Sequence, residues 1–322
     1  MQIKTAEFLK LSANQFKGKI EKAKAMLLNC CLCPRNCGVN RLNGEIGFCK
    51  AGYEIEVSSH QLHFGEEPPL SGRGGAGAIF FTHCNLACVY CQNYQISRQQ
   101  NIKETISPAQ LSFIMLKLQQ QGAQNIDLVS PGHFMPQIVE AIYLARIKGL
   151  ELPIVYNTNA YENINVIKFL SGIVDIYLPD VKYSNAYMAE KYSQVPDYPE
   201  IAFKAIVEMY KQCGGLIINE AGCAQSGVLV RHLVLPGKIA GSFEILEFLK
   251  YNISLDVGLS LMSQYAPCYQ AGRFAELNRT ITVAEYNEVV NFAEFLGFEN
   301  CWVQAIESNA VYFPDFAGKE VF

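Results

Sequence analysis

Short apolar runs alternate with helix-like segments along most of the chain. Six of these runs have the length and character of strands, and they lie at 78–82, 124–129, 152–156, 172–178, 227–235 and 254–262. Segments with helical signals lie after the first five of them, at 107–121, 134–148, 162–171, 184–193, 199–213 and 241–251. This alternation predicts an α/β fold with a parallel sheet. Six β/α repeats favour a partial (βα)6 barrel over a closed barrel of eight repeats.

The segments outside these repeats carry weaker patterns. One helical pattern runs from about Lys19 to Leu28, and residues 51–76 are predicted to link the N-terminal region to the first strand. After the sixth strand we predict a helix near 282–296 and an apolar run at 301–306 that caps the barrel. The chain is therefore expected to have three parts, namely an N-terminal helix with a cysteine-rich module (1–72), a core barrel (73–262) and a C-terminal capping extension (263–322).

The composition is that of an ordinary globular protein, since 50% of the 322 residues are hydrophobic and 17% are charged. The formal net charge is −4 and no block of lysine and arginine occurs, which argues against a nucleic-acid-binding surface. No apolar run reaches the roughly 18 residues of a membrane span, so none is expected. The first residues lack the apolar core of a signal peptide, which predicts a cytoplasmic location.

Three cysteines closely follow the first predicted strand. Cys84, Cys88 and Cys91 have the spacing C-x3-C-x2-C, which brings three thiolates onto one side of a short loop without a fourth. A cubane [4Fe–4S] cluster held in this way keeps one iron without a protein ligand, and an open iron can bind a substrate or cofactor. The loop leaves the carboxyl end of a strand, where α/β folds place their chemistry. A zinc loop or a set of buried thiols is the alternative interpretation.

A second set of cysteines lies before the predicted core. Cys30, Cys33, Cys37 and Cys49 have the spacing C-x2-C-x3-C-x11-C, and turn-forming residues between them allow the loops to fold around an ion or cluster. Four thiolates form a closed site that suits a structural zinc or a second iron–sulfur cluster, and the sequence does not choose between them. The extra Cys31 is either an alternative ligand or a spectator. Unpaired or redox-active thiols are the alternative for the whole set.

These motifs carry a family resemblance at two levels. The loop around the three cysteines, with the aromatic Tyr90 before the third of them, resembles that of the radical S-adenosylmethionine (SAM) superfamily. More narrowly, the chain resembles the PflX-type proteins, which are described as similar to pyruvate formate-lyase activating enzyme. That resemblance is carried by Cys30-Cys-Leu-Cys-Pro-Arg-Asn-Cys-Gly-Val-Asn-Arg, Glu67-Pro-Pro-Leu-Ser-Gly and Cys91-Gln-Asn-Tyr-Gln-Ile-Ser. It is dense over residues 30–98 and looser over the rest of the chain.

The resemblance implies a cofactor set and a reaction. In the superfamily, the open iron of the [4Fe–4S] cluster chelates the methionyl amine and carboxylate of SAM. A one-electron reductant such as flavodoxin or ferredoxin then allows SAM to be cleaved to a 5′-deoxyadenosyl radical, which abstracts hydrogen from a substrate. In the activating enzymes that substrate is a glycine of a partner enzyme; for this chain it could equally be a small molecule or another protein side chain. The rival hypotheses are an iron–sulfur electron carrier or redox sensor without SAM chemistry, and a zinc-stabilised binding module.

Polar residues that follow the predicted strands would face one pocket of a barrel. The resemblance implies that SAM is bound by Tyr90, Ser130, Gly132, Asn157, Asp180, Lys182 and His232. Ser130-Pro-Gly132 stands where many family members have a Gly-Gly-Glu motif, and Asn157 where the activating enzymes have an aspartate. The Asp180-Val-Lys182 and Arg231-His232 segments match family motifs whose lysine and histidine hold the SAM carboxylate.

The two residues of the Arg-His pair are expected to have different roles. Side chains alternate across a strand, so Arg231 and His232 should point to opposite faces of the sheet. We expect His232 to face the pocket together with Lys182, and Arg231 to point away from it. An electron carrier has no need of such a set of residues, which favours the SAM-binding hypothesis.

Overall fold

A single sheet of ten strands organises the protein. The computed structural model describes residues 5–99, 104–310, 314–318 and 321. Its strands are β1 Ile55–His63, β2 Ala76–Phe81, β3 Glu104–Ile106, β4 Ile126–Val129, β5 Ile154–Thr158, β6 Ile176–Pro179, β7 Ile217–Ile218, β8 Ala224–Leu233, β9 Gly258–Met262 and β10 Cys301–Val303. They are ordered β10-β9-β8-β6-β5-β4-β2-β1-β3 across the sheet, and the short β7 pairs with β8.

Seven neighbouring strands of this sheet, β2, β4, β5, β6, β8, β9 and β10, run parallel to one another. Their order in the sheet follows their order in the chain, as in α/β barrels, whereas a doubly wound sheet reverses its strand order. β1 pairs antiparallel with β2, and β3 pairs antiparallel with β1. The described sheet therefore has edges at β10 and β3, and it is a mixed, mainly parallel sheet that does not close through these pairings.

Helices connect the parallel strands. The α-helices are α1 Glu7–Lys10, α2 Ala13–Ala25, α3 Pro68–Ser71, α4 Pro108–Gln120, α5 Met135–Arg146, α6 Ile164–Leu170, α7 Ala186–Ser193, α8 Tyr198–Cys213, α9 Ser242–Phe248 and α10 Val283–Leu296. Short π-helical turns cover Gln95–Gln99 and Leu249–Ile253. In the described part of the chain, no helix combines the length and the apolar character that a membrane span requires.

The strand and helix pattern of the sequence is reproduced in this order of elements. The six predicted strands correspond to β2, β4, β5, β6, β8 and β9. Helix α4 begins as its sequence indicates, because the Ser107 hydroxyl accepts the Gln110 amide and the Gln110 side chain accepts the Ser107 amide. Pro108 occupies the first turn, where its missing N–H costs nothing.

Two segments differ from expectation. Residues 51–76, predicted as a link, contain the nine-residue strand β1. Its central residues are polar and half-buried, so they lack the apolar alternation that predicts a strand. The apolar run predicted to cap the barrel instead contributes β10, which adds to the parallel sheet beside β9. Strands from all three expected parts of the chain thus belong to one sheet.

The interior strands restrict polar chemistry to one edge of the sheet. Every residue of β2, β4, β5, β6 and β9 is buried. Polar groups that must contact a ligand therefore gather where the strands end, and the carboxyl ends of parallel strands share one edge. The cysteine loop 84–91 follows β2 at this edge.

Candidate functional site

A cavity of about 590 Å³ lies where the parallel strands end, within the size range of small-molecule sites. It is lined by residues at or just after the carboxyl ends of β2, β4, β5 and β6, by residues in or just after β8, β9 and β10, and by the segment 63–72. Its polar and aromatic lining includes Glu66, Glu67, Cys84, Cys88, Tyr90, Cys91, Gln92, Ser130, Asn157, Asn159, Asp180, Lys182, Arg231, Ser260, Gln264, Trp302 and Gln304. The three cysteines of the C-x3-C-x2-C loop are the only cysteines among the described lining residues.

Each sulfur of this loop has a polar neighbour from the surrounding protein. The Cys84 sulfur accepts the Leu86 amide and the Asn159 side-chain amide, both at 3.4 Å. The Ser193 hydroxyl lies 3.0 Å from the Cys88 sulfur and donates to it. The Ser97 hydroxyl lies 3.3 Å from the Cys91 sulfur.

Two asparagines hold the conformation of the loop. The Asn85 side chain donates to the Tyr161 carbonyl at 2.8 Å and accepts the Asn159 amide at 2.8 Å. Arg35, from the N-terminal cysteine module, donates its Nε to the Asn85 carbonyl at 3.1 Å. The loop is therefore fixed both by the β5 end of the sheet and by the module.

The thiols need a cation to ionise in this setting. Burial, followed by the neighbouring Cys88, raises the pKa of Cys91 to about 12, and burial raises the pKa of Cys88 as well. Donors aimed at the sulfurs favour the thiolate form, so a positively charged iron core between them would supply the missing stabilisation. The three sulfurs and their donors therefore fit a cluster.

No group of His, Cys, Asp or Glu side chains in the described ranges is arranged to hold a metal ion as it stands. A cubane spreads its iron atoms over separate corners, so its thiolate ligands need not converge on one point. The three cysteines on one short loop are therefore compatible with such a cluster.

A charged pair faces the cavity from the end of β6. Lys182 Nζ lies 2.9 Å from Asp180 Oδ2, and both residues line the cavity. Burial acts to lower the pKa of Lys182, but Asp180 and then Cys88 outweigh it, so the pKa is raised and the ammonium is retained. The Tyr198 hydroxyl orders this corner, because it accepts the Lys182 amide at 3.0 Å and lies 2.8 Å from the Asp180 carbonyl.

Of the other expected SAM-binding residues, Tyr90, Ser130 and Asn157 also line the cavity. Ser130 adopts a positive φ of 59°, and its amide donates to the Asn157 carbonyl at 2.8 Å. Gly132 does not line the cavity. A methyl group at its Cα would lie 3.0 Å from the Glu162 carboxylate, so Gly132 packs over that buried side chain instead.

The orientation expected for the Arg-His pair is wrong. His232 is fully buried and does not line the cavity; its Nδ1 lies 2.9 Å from the Val181 carbonyl and its Nε2 lies 2.8 Å from the Ser242 hydroxyl. Burial lowers the pKa of His232 to about 4, which keeps the ring neutral. Its neighbour Arg231 faces the cavity. The alternation along β8 was expected correctly, but the two faces were exchanged.

Arg231 joins a buried ion cluster that the sequence analysis did not identify. Its guanidinium contacts Glu67 through two bonds, at 2.7 and 2.6 Å, and also contacts Glu66. Burial raises the pKa of Glu67 and lowers that of Arg231, so each group depends on the other to remain charged. Glu67 lies in one of the segments that carry the family resemblance. That position is the feature of the sequence from which its role could have been suspected.

Three glutamines that sequence reasoning also missed form a chain along the lining. Gln264 donates to the Gln92 side chain at 3.1 Å, and Gln304 donates to the Gln264 side chain at 2.9 Å. They lie just after the cysteine loop, just after β9 and just after β10, so no local pattern links them.

The four-cysteine module is folded by short-range backbone bonds. The Cys30 amide donates to the Val39 carbonyl, and the Gly38 amide donates to the Cys30 carbonyl, both at 3.0 Å. The Phe48 amide points at the Cys37 sulfur at 3.4 Å. Burial raises the pKa of Cys33 to about 12, while the Arg35 amide, bonded to its sulfur, acts in the opposite direction.

The electrostatic fields of these four sulfurs overlap. Cys33 is affected by Cys49 and Cys37, and Cys49 by Cys30 and Cys37. Burial raises the pKa of Cys49, and the positive charge of the fully buried Arg41 acts in the opposite direction. The Arg41 guanidinium donates to the carbonyl groups of Gly52 and His133. A buried cation beside several thiols fits a site that becomes anionic when the thiols bind a metal.

Comparison with known proteins assigns the chain to a family. No family model matches the sequence. The chain is 32% identical over 284 residues to the uncharacterized protein MJ0674 of Methanocaldococcus jannaschii, a match that covers 86% of this chain and 77% of the relative. The chain belongs to the MJ0674 family. Because that relative is uncharacterized, membership of the MJ0674 family assigns no activity.

One solved structure with a partly similar backbone is that of SuiB from Streptococcus suis, bound to the precursor peptide SuiA. The match has a TM-score of 0.47 and 11% sequence identity, and it covers 69% of this chain. The chain spans only 46% of the SuiB chain. Similarity at this level does not establish a shared activity.

We predict that Arg231→Met lowers the free energy of unfolding by about 3–5 kcal/mol, because it leaves Glu66 and Glu67 buried without their cation. Adding Glu67→Gln to that variant should recover part of the loss. Urea unfolding of the wild type, both single variants and the double variant measures the coupling. If the two changes prove additive within about 0.5 kcal/mol, the ion cluster does not act as a unit.

Proposed function

We propose that this protein is a radical SAM enzyme. In the proposed reaction, one electron and SAM yield methionine and a 5′-deoxyadenosyl radical, which takes a hydrogen atom from a substrate to give 5′-deoxyadenosine and a substrate radical. The supporting observation is the arrangement of Cys84, Cys88 and Cys91, whose sulfurs have polar donors and line a cavity with a retained cation, Lys182. The sequence resemblance points to the same chemistry.

The three cysteines would hold a [4Fe–4S] cluster, which when bound supplies the electron and an open iron for SAM. The protein itself contributes orientation and exclusion of water. Asn85 and Asn159 fix the loop that carries the cysteines, and the buried Tyr90 forms part of the cavity wall beside Cys91. Exclusion of water protects a carbon radical from side reactions.

Lys182 is proposed to bind the carboxylate of SAM. It retains its positive charge and borders the same cavity as the three cysteines. Asp180 and the Tyr198 hydroxyl hold it in place, and Ser130 and Asn157 offer polar groups nearby on the lining. His232 is not part of this proposal, because both of its ring nitrogens are bonded within the core.

The cavity disfavours the rival function of a simple electron carrier. A carrier needs a cluster close to the surface and no room for a small molecule. Here the thiols of Cys84, Cys88 and Cys91 border a cavity of about 590 Å³ that also contains ion pairs and a chain of amides. Such a combination is typical of a site that binds and orients a substrate.

We further propose that Cys30, Cys33, Cys37 and Cys49 bind a second metal group, a zinc ion or an iron–sulfur cluster, in the N-terminal part of the chain (1–72). In support of this proposal, a backbone amide is directed at the Cys37 sulfur, and the charge of the buried Arg41 opposes the effect of burial on the pKa of Cys49. The core (73–262) would bind the catalytic cluster and SAM, and the C-terminal extension (263–322) would complete the cavity with Gln264, Trp302 and Gln304. The PflX-type resemblance suggests a glycine of a partner protein as the hydrogen donor.

Replacing Cys84, Cys88 and Cys91 together by Ala should abolish SAM cleavage, because no site for the cluster remains. The measurement is the yield of 5′-deoxyadenosine after anaerobic reconstitution with iron and sulfide. As a matched control, Cys213, Cys223 and Cys301, which lie outside the cavity lining, are replaced by Ala, and this variant should keep its activity. Equal yields from the two triple variants would refute the assignment of the cluster.

Lys182→Ala should weaken the affinity for SAM by roughly ten- to a hundredfold, since a charge-assisted contact with a carboxylate contributes about 1.5–3 kcal/mol. Titration of SAM against the EPR signal of the reduced cluster measures this affinity. His232→Asn keeps a donor toward the Val181 carbonyl and should bind SAM like the wild type. If His232→Asn lost affinity for SAM while Lys182→Ala kept it, the proposal that Lys182 and not His232 faces the SAM site would be contradicted.

The N-terminal module should retain metal when the catalytic cluster is removed. In the Cys84/Cys88/Cys91→Ala variant, elemental analysis should still find zinc, or iron with sulfide, bound to the protein. Further replacement of Cys33 and Cys49 should remove that metal, because a closed four-thiolate site loses two ligands. A folded triple variant that contains neither metal would show that these cysteines are not ligands.

A further inference from the structure

A second, open depression lies on the outside of the cysteine loop. It has a volume of about 430 Å³ and is lined by Phe48, Lys50, Ala87, Arg98, Gln194, Tyr269 and Gln270. We call it the loop groove. Ala87 forms part of its wall, while the next residue, Cys88, lines the inner cavity. A single stretch of the cysteine loop therefore separates the loop groove from the proposed site of chemistry.

Backbone bonds hold this dividing stretch in place. The Ala87 amide donates to the Ser193 carbonyl at 3.3 Å, and the Val89 amide donates to the Tyr192 carbonyl at 2.9 Å. From the other side, the Gln270 amide donates to the Val89 carbonyl at 2.8 Å. The wall of the groove is thus a fixed surface.

The loop groove is positively charged. Among the residues that the structure describes, its lining contains the cations Lys50 and Arg98 and no acidic residue, although the chain as a whole has a net charge of −4. Neither cation forms an ion pair with a carboxylate of the described residues. The field of these charges is therefore not cancelled by a nearby partner.

A third cation adds to this patch. The guanidinium of Arg35 stacks on the Phe48 ring at 3.7 Å from its centroid, and that of Arg98 lies 5.4 Å from the same centroid. Phe48 thereby orders two arginines next to the exposed Lys50. The result is a rigid arrangement of positive charge around an aromatic ring, directly outside the cysteine loop.

We propose that the loop groove is the docking site of an acidic one-electron carrier protein. This inference rests on the proposed function, which requires one electron for every SAM molecule cleaved. The carrier is oxidised by one electron, which passes inward to the cluster site across the Ala87–Cys88 stretch. Complementary charge speeds the encounter and orients the partner, and an electron-transfer complex needs only a small, transient interface.

The test compares two charge-reversed proteins of identical net charge. Lys50→Glu/Arg98→Glu alters the loop groove, and Lys204→Glu/Lys211→Glu alters exposed lysines on α8. Calorimetry at low ionic strength measures binding of oxidised flavodoxin, used as the acidic carrier, to the reconstituted proteins. We expect the first variant to bind at least tenfold more weakly than the wild type, and the second to bind like the wild type. The difference should shrink near 0.15 M salt, where charges are screened beyond about 8 Å.

Lys50→Glu alone changes an exposed position and should weaken flavodoxin binding by a smaller factor. This single variant replaces the double variant if Arg98→Glu prevents folding. Unchanged binding in the groove variants, or an equal loss in the α8 variant, would overturn the proposal. Photoreduced deazaflavin delivers electrons without docking, so it should drive SAM cleavage in Lys50→Glu and in the α8 variant as it does in the wild type. A failure of cleavage with deazaflavin in the wild type would count against the proposed function and not against the docking site.

Discussion

The site depends on the contact between three buried sulfurs of one loop and hydrogen-bond donors from other parts of the chain. Burial alone would keep the thiols of Cys88 and Cys91 protonated. Three side chains donate to these sulfurs, namely Asn159 just after β5, Ser193 at the end of α7 and Ser97 in the π-helical turn after the loop. The loop can therefore hold anionic ligands only where these elements meet, at the carboxyl edge of the sheet.

The remaining charges of the cavity are arranged around this requirement. Lys182 stays protonated because Asp180 and the sulfur of Cys88 outweigh the cost of its burial. Arg231 forms ion pairs with Glu66 and Glu67, so it is a stable part of the cavity wall. Outside the loop, Lys50 and Arg98 carry positive charge that the chain itself does not neutralise with its described carboxylates. One loop thus lies between an inner ligand cavity and an outer charged surface.

Local features of the sequence predicted the parts of this structure that local interactions determine. The spacing of Cys84, Cys88 and Cys91 placed them on one loop after a strand, and the Ser107-Pro108 pair marked the start of α4. The parallel α/β architecture followed from the alternation of strands and helices. β1 was missed because its central residues are polar and half-buried, so they lack the apolar alternation that predicts a strand.

Long-range contacts decided what the sequence left open. Alternation along β8 separated Arg231 from His232 but gave no sign of which residue faces the cavity. Arg231 faces the cavity because it pairs there with Glu66 and Glu67, some 164 positions earlier in the chain. His232 faces the core, where its ring is hydrogen-bonded to Ser242. The chain of Gln92, Gln264 and Gln304 likewise joins three distant segments. None of these partners is visible in a local pattern.

The most direct test of the account is the product of SAM in the reconstituted wild-type protein. The protein is loaded anaerobically with iron and sulfide, reduced chemically and incubated with SAM. We predict 5′-deoxyadenosine and methionine in equal amounts, formed only when the reductant is present. A protein that contains the cluster and is reduced, yet forms no 5′-deoxyadenosine, would contradict the central claim.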